Sequence, residues 1–95
     1  MNATEFSPKS VEDLEEILDF IAGDNPCRAI NLVATLREQC EALTAFPGLG
    51  ARRDNLAQGL RVFPVGNFGI YYHTTETGVR IERILHAARD VDALF

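Results

Sequence analysis

The sequence predicts an α+β fold in which a helical hairpin packs on a small, mainly antiparallel sheet, in the order β-α-α-β-β-β. Two observations predict it. Residues 7–46 carry apolar side chains at spacings of three and four. Residues 60–86 are rich in Val, Ile, Phe and Tyr and are divided by turn sequences. At 95 residues, the chain is expected to form one domain, residues 1–95.

A short strand is predicted at residues 2–6, followed by an acidic amphipathic helix. Ser7 suits the N-cap, Pro8 the first helical position, and Gly23 the stop. The polar face of this helix contains Glu12, Asp13, Glu15, Glu16 and Asp19. Its apolar stripe consists of Val11, Leu14, Ile17, Leu18 and Ile21.

A second helix is predicted to begin at Asn25 and Pro26 and to run to about Phe46. Because only a few residues separate the two helices, they must form an antiparallel hairpin that buries both stripes together. The stripe of the second helix consists of Ile30, Val33, Leu36, Cys40 and Leu43.

Three strands are predicted at residues 60–65, 68–73 and 79–86, joined by the turn sequences "GN" and "TTETG". Pro64 lacks an amide donor, so its strand is expected to lie at an edge or to contain a bulge. The last residues, "ARDVDALF", predict one helical turn whose Val91, Leu94 and Phe95 close one end of the core.

The last strand predicts a sheet that is apolar on both faces. Regular alternation would place Val79, Ile81, Arg83 and Leu85 on one face and Arg80, Glu82, Ile84 and His86 on the other. One layer of helices covers one face of a sheet, so we expect the opposite face to leave apolar surface for a partner.

Composition excludes several classes of protein. The net charge of −5 argues against a surface that grips nucleic acid as a whole, and sequence-specific nucleic-acid binding is not expected. No window approaches a membrane span, and the N-terminus lacks signal-peptide features, so a cytoplasmic protein is expected. The basic side chains of residues 51–95 are all arginines, namely Arg52, Arg53, Arg61, Arg80, Arg83 and Arg89.

No metal site or cofactor is predicted. Cys27 and Cys40 lie thirteen residues apart on one predicted helix, roughly 20 Å, which is too far for a disulfide. With two histidines and no CxxC or HxxxH spacing, a zinc site is not expected. The stretch "GLGARRDNLAQG" follows a helix and lacks the Lys-Ser/Thr of a P-loop, so it is interpreted as a helix-to-strand connection.

Three stretches resemble one known family in order and spacing: "LEEILDFIAGDNPCRA", "FPGLGARRDNLAQGLRVFPVGNFGIYY" and "RILHAARD". Over nearly the whole chain the sequence resembles the RelE/ParE superfamily of type II toxin–antitoxin toxins, and its ParE branch most closely. The resemblance implies a plasmid- or chromosome-borne toxin of the plasmid-stabilisation class, which inhibits DNA gyrase and replication and is neutralised in a hetero-oligomer with a cognate ParD-like antitoxin.

RelE-type relatives instead cut messenger RNA in the ribosome with a dense basic set and a C-terminal Tyr or His. This chain has "GARRDNLAQ" where those relatives are lysine-rich, and no tyrosine follows Tyr72, which favours ParE. The leading hypothesis is therefore a binding protein without a catalytic centre. The residues expected to bind the target or the antitoxin are Arg61, Arg83, His86, Arg89 and Phe95.

Two alternatives stay open at the level of sequence. The first is a ribosome-dependent mRNA endonuclease, with His86 as acid or base and Arg61 and Arg83 on the phosphate. The second is a non-toxic relic that only binds its antitoxin.

Overall fold

The computed structural model of the protein describes residues 3–87 and 91–95. The predicted α+β order is confirmed, with one additional short strand in the connection after the helices. The elements are β1 (Ala3–Phe6), α1 (Pro8–Ala22), α2 (Pro26–Ala45), β2 (Ala51–Arg52), β3 (Arg61–Val65), β4 (Phe68–Thr74) and β5 (Gly78–His86), with 3₁₀ turns at Pro47–Leu49 and Val91–Ala93.

The strands form one five-stranded sheet in the order β1-β5-β4-β3-β2. β1 runs parallel to β5, and the other neighbours are antiparallel. β2 pairs only with Arg61 and Val62, so Pro64 lies beyond that pairing and its missing donor breaks no bond to β2. Gly66 opens the two-residue β3–β4 turn with a φ of 58°, a backbone conformation that glycine adopts without strain.

Both helices begin as their local sequences predict. The Ser7 side chain accepts a hydrogen bond from the Ser10 amide at 3.0 Å, and the Asn25 side chain accepts one from the Arg28 amide at 3.1 Å. In each helix a proline follows the cap, where its missing amide costs no hydrogen bond. Among the described residues, no helix is long and apolar enough to cross a membrane.

The main core lies between the helices and one face of the sheet. Tyr72 is fully buried there, and its hydroxyl donates to the Pro47 carbonyl at 2.7 Å and accepts from the Gly50 amide at 2.8 Å. A side chain at Gly50 would place its Cβ 2.5 Å from that hydroxyl, so this position requires glycine. The other fully or almost fully buried members are Leu14, Leu36, Cys40, Leu43, Ile70, Val79, Ile81 and Ile84.

The two cysteines form no disulfide, in agreement with the sequence prediction. Cys27 is exposed near the start of α2, and Cys40 is buried in the main core. Burial raises the pKa of the Cys40 thiol to about 12, since the thiolate would lose its hydration. Cys40 is therefore a neutral core residue at physiological pH.

The second face of the sheet is covered by the chain itself, so the prediction of an uncovered face there is wrong. Leu60, Tyr71 and Leu85 form a second buried cluster on this face. It is covered by the loop before β3, through Leu56 and Ala57, and by the C-terminal turn. The covering by the loop before β3 was not predicted, because that loop lacks the periodicity of a helix or strand. The residues packed here from the C-terminal turn are Val91 and Leu94, as predicted.

β5 departs from regular alternation at a β-bulge. The pairing with β4 shifts between Tyr71, which lies opposite Arg83, and Tyr72, which lies opposite Ile81. Because of the extra residue, the side chains after the bulge point to the opposite faces from those that regular alternation predicts. Ile84 therefore lies with Val79 and Ile81 in the main core, and Leu85 lies in the second cluster. The prediction that Ile84 and Ile81 lie on opposite faces is therefore wrong.

The tip of the helical hairpin is not packed as the apolar stripes predicted. On α2, Leu36, Cys40 and Leu43 are buried, but Ile30 remains 63% exposed. On α1, the buried positions end at Leu14. The base of the hairpin is thus fully packed on the sheet, whereas Ile17, Leu32 and Val33 in the half nearest the α1–α2 turn are only partly buried against the core.

Candidate binding site

A large groove lies beneath the tip of the helical hairpin. One wall is formed by the second half of α1, the α1–α2 turn and the first half of α2, and the other by the β3–β4 turn and the end of β5. The groove has a volume of about 1060 Å³. At this end the apolar side chains of both walls, among them Ile17, Leu32 and Phe68, are only partly buried against the main core.

The floor and walls of the groove are largely apolar. α1 contributes Ile17, Phe20 and Ile21, α2 contributes Leu32, and the β3–β4 turn contributes Val65 and Phe68. Phe20 is 84% exposed, the highest exposure among the large apolar residues of the described chain. A contiguous concave apolar surface of this kind is typical of a site that receives another chain.

The rim of the groove is polar and carries more acidic than basic side chains on its helical wall. Glu16 and Asp24 lie at this rim with one cation, Arg28. Such a rim favours a partner that presents basic side chains beside its apolar ones. The neutral polar residues of the rim are Asn25, Asn31, Thr35 and Asn67.

A buried ion pair closes one end of the groove. The Arg83 guanidinium donates from Nε to Asp13 Oδ2 at 2.8 Å and from Nη2 to Asp13 Oδ1 at 2.9 Å. The two side chains are only 14% and 7% exposed. Hydrogen bonding to Asp13 is the main cause that raises the pKa of Arg83 above its ordinary value, so the guanidinium stays charged and paired.

The structure brings one of the predicted site residues, His86, into the lining of the groove, where its ring packs edge-on against Phe68 with centroids 5.3 Å apart. Arg83 does not line the groove and is linked to its closed end through Asp13, which does. Arg83 is engaged by Asp13, so it does not present a guanidinium to the groove as a surface arginine would. His86 lies at the exposed end of β5.

The other predicted site residues lie elsewhere. Arg61 donates to the Gly50 carbonyl at 2.7 Å, near the base of the hairpin. Phe95 lies on the second face of the sheet, with its ring centroid 5.3 Å from that of Tyr71. Arg89 lies outside the described residues, and its predicted role stays a prediction.

The geometry does not assemble the catalytic set considered for an mRNA endonuclease. Arg61 pairs with Tyr72 and His86 pairs with Phe68, positions four residues apart on β4, or roughly 13 Å along the strand. Arg61 and His86 are also on strands on opposite sides of β4. These side chains and the Asp13-bound Arg83 therefore do not converge on one phosphate. Among the described residues, no three His, Cys, Asp or Glu side chains are grouped as metal ligands would be.

Sequence reasoning missed the residues that make the groove. Phe20 was the available signal, because it lies on the otherwise acidic side of α1 and outside the apolar stripe. A large apolar residue in that position serves no helix–sheet core and indicates a second apolar contact surface. Asp13, by contrast, was indistinguishable from the four other acidic residues of that helix face.

Comparisons with known proteins identify the family. A family model described as the ParE toxin of type II toxin–antitoxin systems, parDE, matches residues 4–91. The chain belongs to the ParE toxin family. This confirms the ParE branch that the sequence motifs indicated, and with it a toxin of a type II toxin–antitoxin system.

A solved structure shares the fold of this ParE-family chain. The chromosomal ParDE toxin–antitoxin system from P. aeruginosa contains a chain that matches with a TM-score of 0.78 and 24% identity. The match covers 90% of this chain and 96% of the other. A comparison with curated proteins gives no match. The two-helix, mixed-sheet architecture is thus shared with a chain of that solved structure.

Proposed function

We propose that this chain is the toxin of a ParD–ParE pair, that a ParD-like antitoxin occupies the groove beneath the hairpin tip, and that the free toxin inhibits DNA gyrase. The observation that carries the proposal is the groove with its apolar lining and with Phe20 exposed at its wall. An apolar surface of this size is costly to leave in water, so a toxin stored in a complex with its antitoxin accounts for it.

The antitoxin segment that fits this groove is an apolar one with basic residues at its edge. Ile17, Phe20 and Leu32 provide the apolar contact surface, and Glu16 and Asp24 provide the charges on the rim. Burial of apolar side chains supplies most of the affinity in this arrangement, and the rim charges set the orientation. His86 is proposed to contact the antitoxin, since it lines the same groove.

Replacing Phe20 with lysine tests the groove. We expect Phe20→Lys to weaken binding of the antitoxin encoded with this toxin by about tenfold or more, because losing a central apolar anchor costs about 2 kcal/mol. Titration calorimetry on the purified chains measures the dissociation constant. The matched control is Phe46→Lys, since Phe46 is 66% exposed and does not line the groove.

If both variants bind the antitoxin as tightly as the unmodified chain, the groove is not the antitoxin site. If Phe46→Lys alone weakens binding, the antitoxin contacts the opposite end of the hairpin.

Gyrase is the proposed target because the described residues offer a protein-binding surface and no converging catalytic set. The net charge of −5, with an acidic outer face on α1, also opposes docking onto the RNA-rich ribosome. Arg61 and Phe95 lie outside the groove and are proposed, with Arg89, to contact the target. Arg83 is proposed to act through Asp13 and not by direct contact.

A supercoiling assay with purified gyrase tests the target. We expect the free chain to inhibit supercoiling and added antitoxin to restore it. Primer extension on messenger RNA after induction of the toxin tests the alternative function, cleavage of messenger RNA. Codon-linked new 5′ ends with unaffected gyrase would favour the endonuclease, and unaffected growth with confirmed soluble toxin would indicate a relic that only binds its antitoxin.

A further inference from the structure

Beyond the end of β1, the backbone groups at that edge of β5 form their hydrogen bonds with residues at the start of α1. β1 pairs with β5 only as far as Phe6 opposite Ile81. Beyond that point, the Ser7 amide donates to the Ile81 carbonyl at 2.9 Å and the Ser7 hydroxyl donates to the Glu82 carbonyl at 2.7 Å. The groups at the edge of a buried strand must find partners, and the start of the helix supplies them here.

Asp13, about 1.7 helical turns after Ser7, provides the next hydrogen-bond partners along this edge. Its Oδ2 atom accepts hydrogen bonds from the Ile84 amide at 3.0 Å and from Arg83 Nε, and its Oδ1 atom accepts one from Arg83 Nη2. One carboxylate therefore accepts three donors from the bulged part of β5. The two parallel bonds of an arginine–carboxylate fork restrict the relative orientation of the groups they join more than a single bond does.

The pair lies where the two walls of the groove meet. Asp13 and Ile84 both line the groove. From Asp13, the helical wall continues through Ile17 and Phe20, and from Ile84 the strand wall continues to His86. Because α1 and β5 are regular elements, a change in their separation at the closed end also changes their separation at the open end.

We propose that Asp13 and Arg83 are positioning residues that fix the separation of the groove walls at the spacing the antitoxin requires. This rests on the proposed function, in which the antitoxin occupies the groove. The pair acts through the spacing of the two walls that it joins, and Arg83 itself does not line the groove. Without the fork, α1 and the end of β5 shift relative to each other, and the bound segment loses contact with one wall.

The single variants are ambiguous tests, because removing one partner leaves a buried charge unpaired and destabilises the fold. The double variant Asp13→Asn/Arg83→Met avoids this. Its Asn side chain can still accept the Ile84 amide, and no charge is left unpaired. The control Arg80→Met removes an arginine of the same strand whose partners are Glu5 and Glu82 and which does not line the groove.

We expect the double variant to bind the full-length antitoxin encoded with this toxin about tenfold more weakly, while its urea unfolding midpoint stays near that of Arg80→Met. Calorimetry and urea titration of the same preparations measure both quantities. Arg83→Lys retains the charge without the fork, so we expect it to bind with intermediate affinity.

A folded double variant with unchanged affinity overturns the inference and leaves the pair with a purely structural role. If the double variant does not fold, Arg83→Lys decides, since unchanged affinity in that variant also overturns the inference. Failure of the proposed function looks different. In that case Phe20→Lys binds the antitoxin normally, whereas failure of the positioning role alone leaves Phe20→Lys impaired.

Discussion

Arg83 shows how far the role of one residue can be predicted from its neighbours in sequence. Its place in "RILHAARD" indicated a surface cation, and the structure pairs it with Asp13, seventy positions away. Local sequence rules describe contacts at three or four positions on a helix or at two on a strand. An ion pair made by packing α1 over β5 follows from tertiary structure and has no local signal.

Tyr72 gives a stability prediction at the residue scale. Its hydroxyl joins the core to the helix-to-strand connection through Pro47 and Gly50. We expect Tyr72→Phe to lower the free energy of unfolding by about 1–3 kcal/mol, because the buried Gly50 amide and the half-buried Pro47 carbonyl each lose a partner. Equilibrium urea unfolding measures the change.

The matched control is Tyr71→Phe on the neighbouring position of β4. Tyr71 is also buried, but within the described residues its hydroxyl makes no hydrogen bond, and it faces the second cluster. We expect its free energy of unfolding to change by less than about 0.5 kcal/mol. Equal losses in the two variants would show that the hydroxyl of Tyr72 contributes nothing specific.

At the scale of elements, the starts of the helices were predictable, whereas the face of the sheet on which each side chain lies was only partly predictable. Ser7-Pro8 and Asn25-Pro26 specify helix starts by local chemistry, and the structure confirms both. The bulge in β5 was not predictable, because an extra residue in one strand depends on the pairing with its neighbour.

The helical hairpin illustrates the same distinction. An apolar stripe shows which side of a helix is able to be buried, and it does not show how much of that side meets the sheet. Leu36 and Ile30 belong to one stripe, yet only Leu36 is buried. Near the α1–α2 turn a groove separates the helices from the β3–β4 turn and the end of β5, so the stripe is only partly covered there.

At the scale of the whole molecule, the family was predictable because its motifs span nearly the whole chain. The position of the binding surface was not. An uncovered sheet face was expected, but the loop before β3 and the C-terminal turn cover that face. The exposed apolar surface lies instead under the hairpin tip, where two elements remote in sequence form opposite walls.

Hydrogen exchange of the complete toxin, alone and saturated with its antitoxin, tests the central claim most directly. We expect the antitoxin to slow exchange in peptides from residues 14–35, 65–68 and 84–87, which form the groove. Residues 53–60, which cover the second face, should exchange at the same rate in both states. Slowed exchange confined to residues 53–60, with the hairpin tip unchanged, would contradict the account.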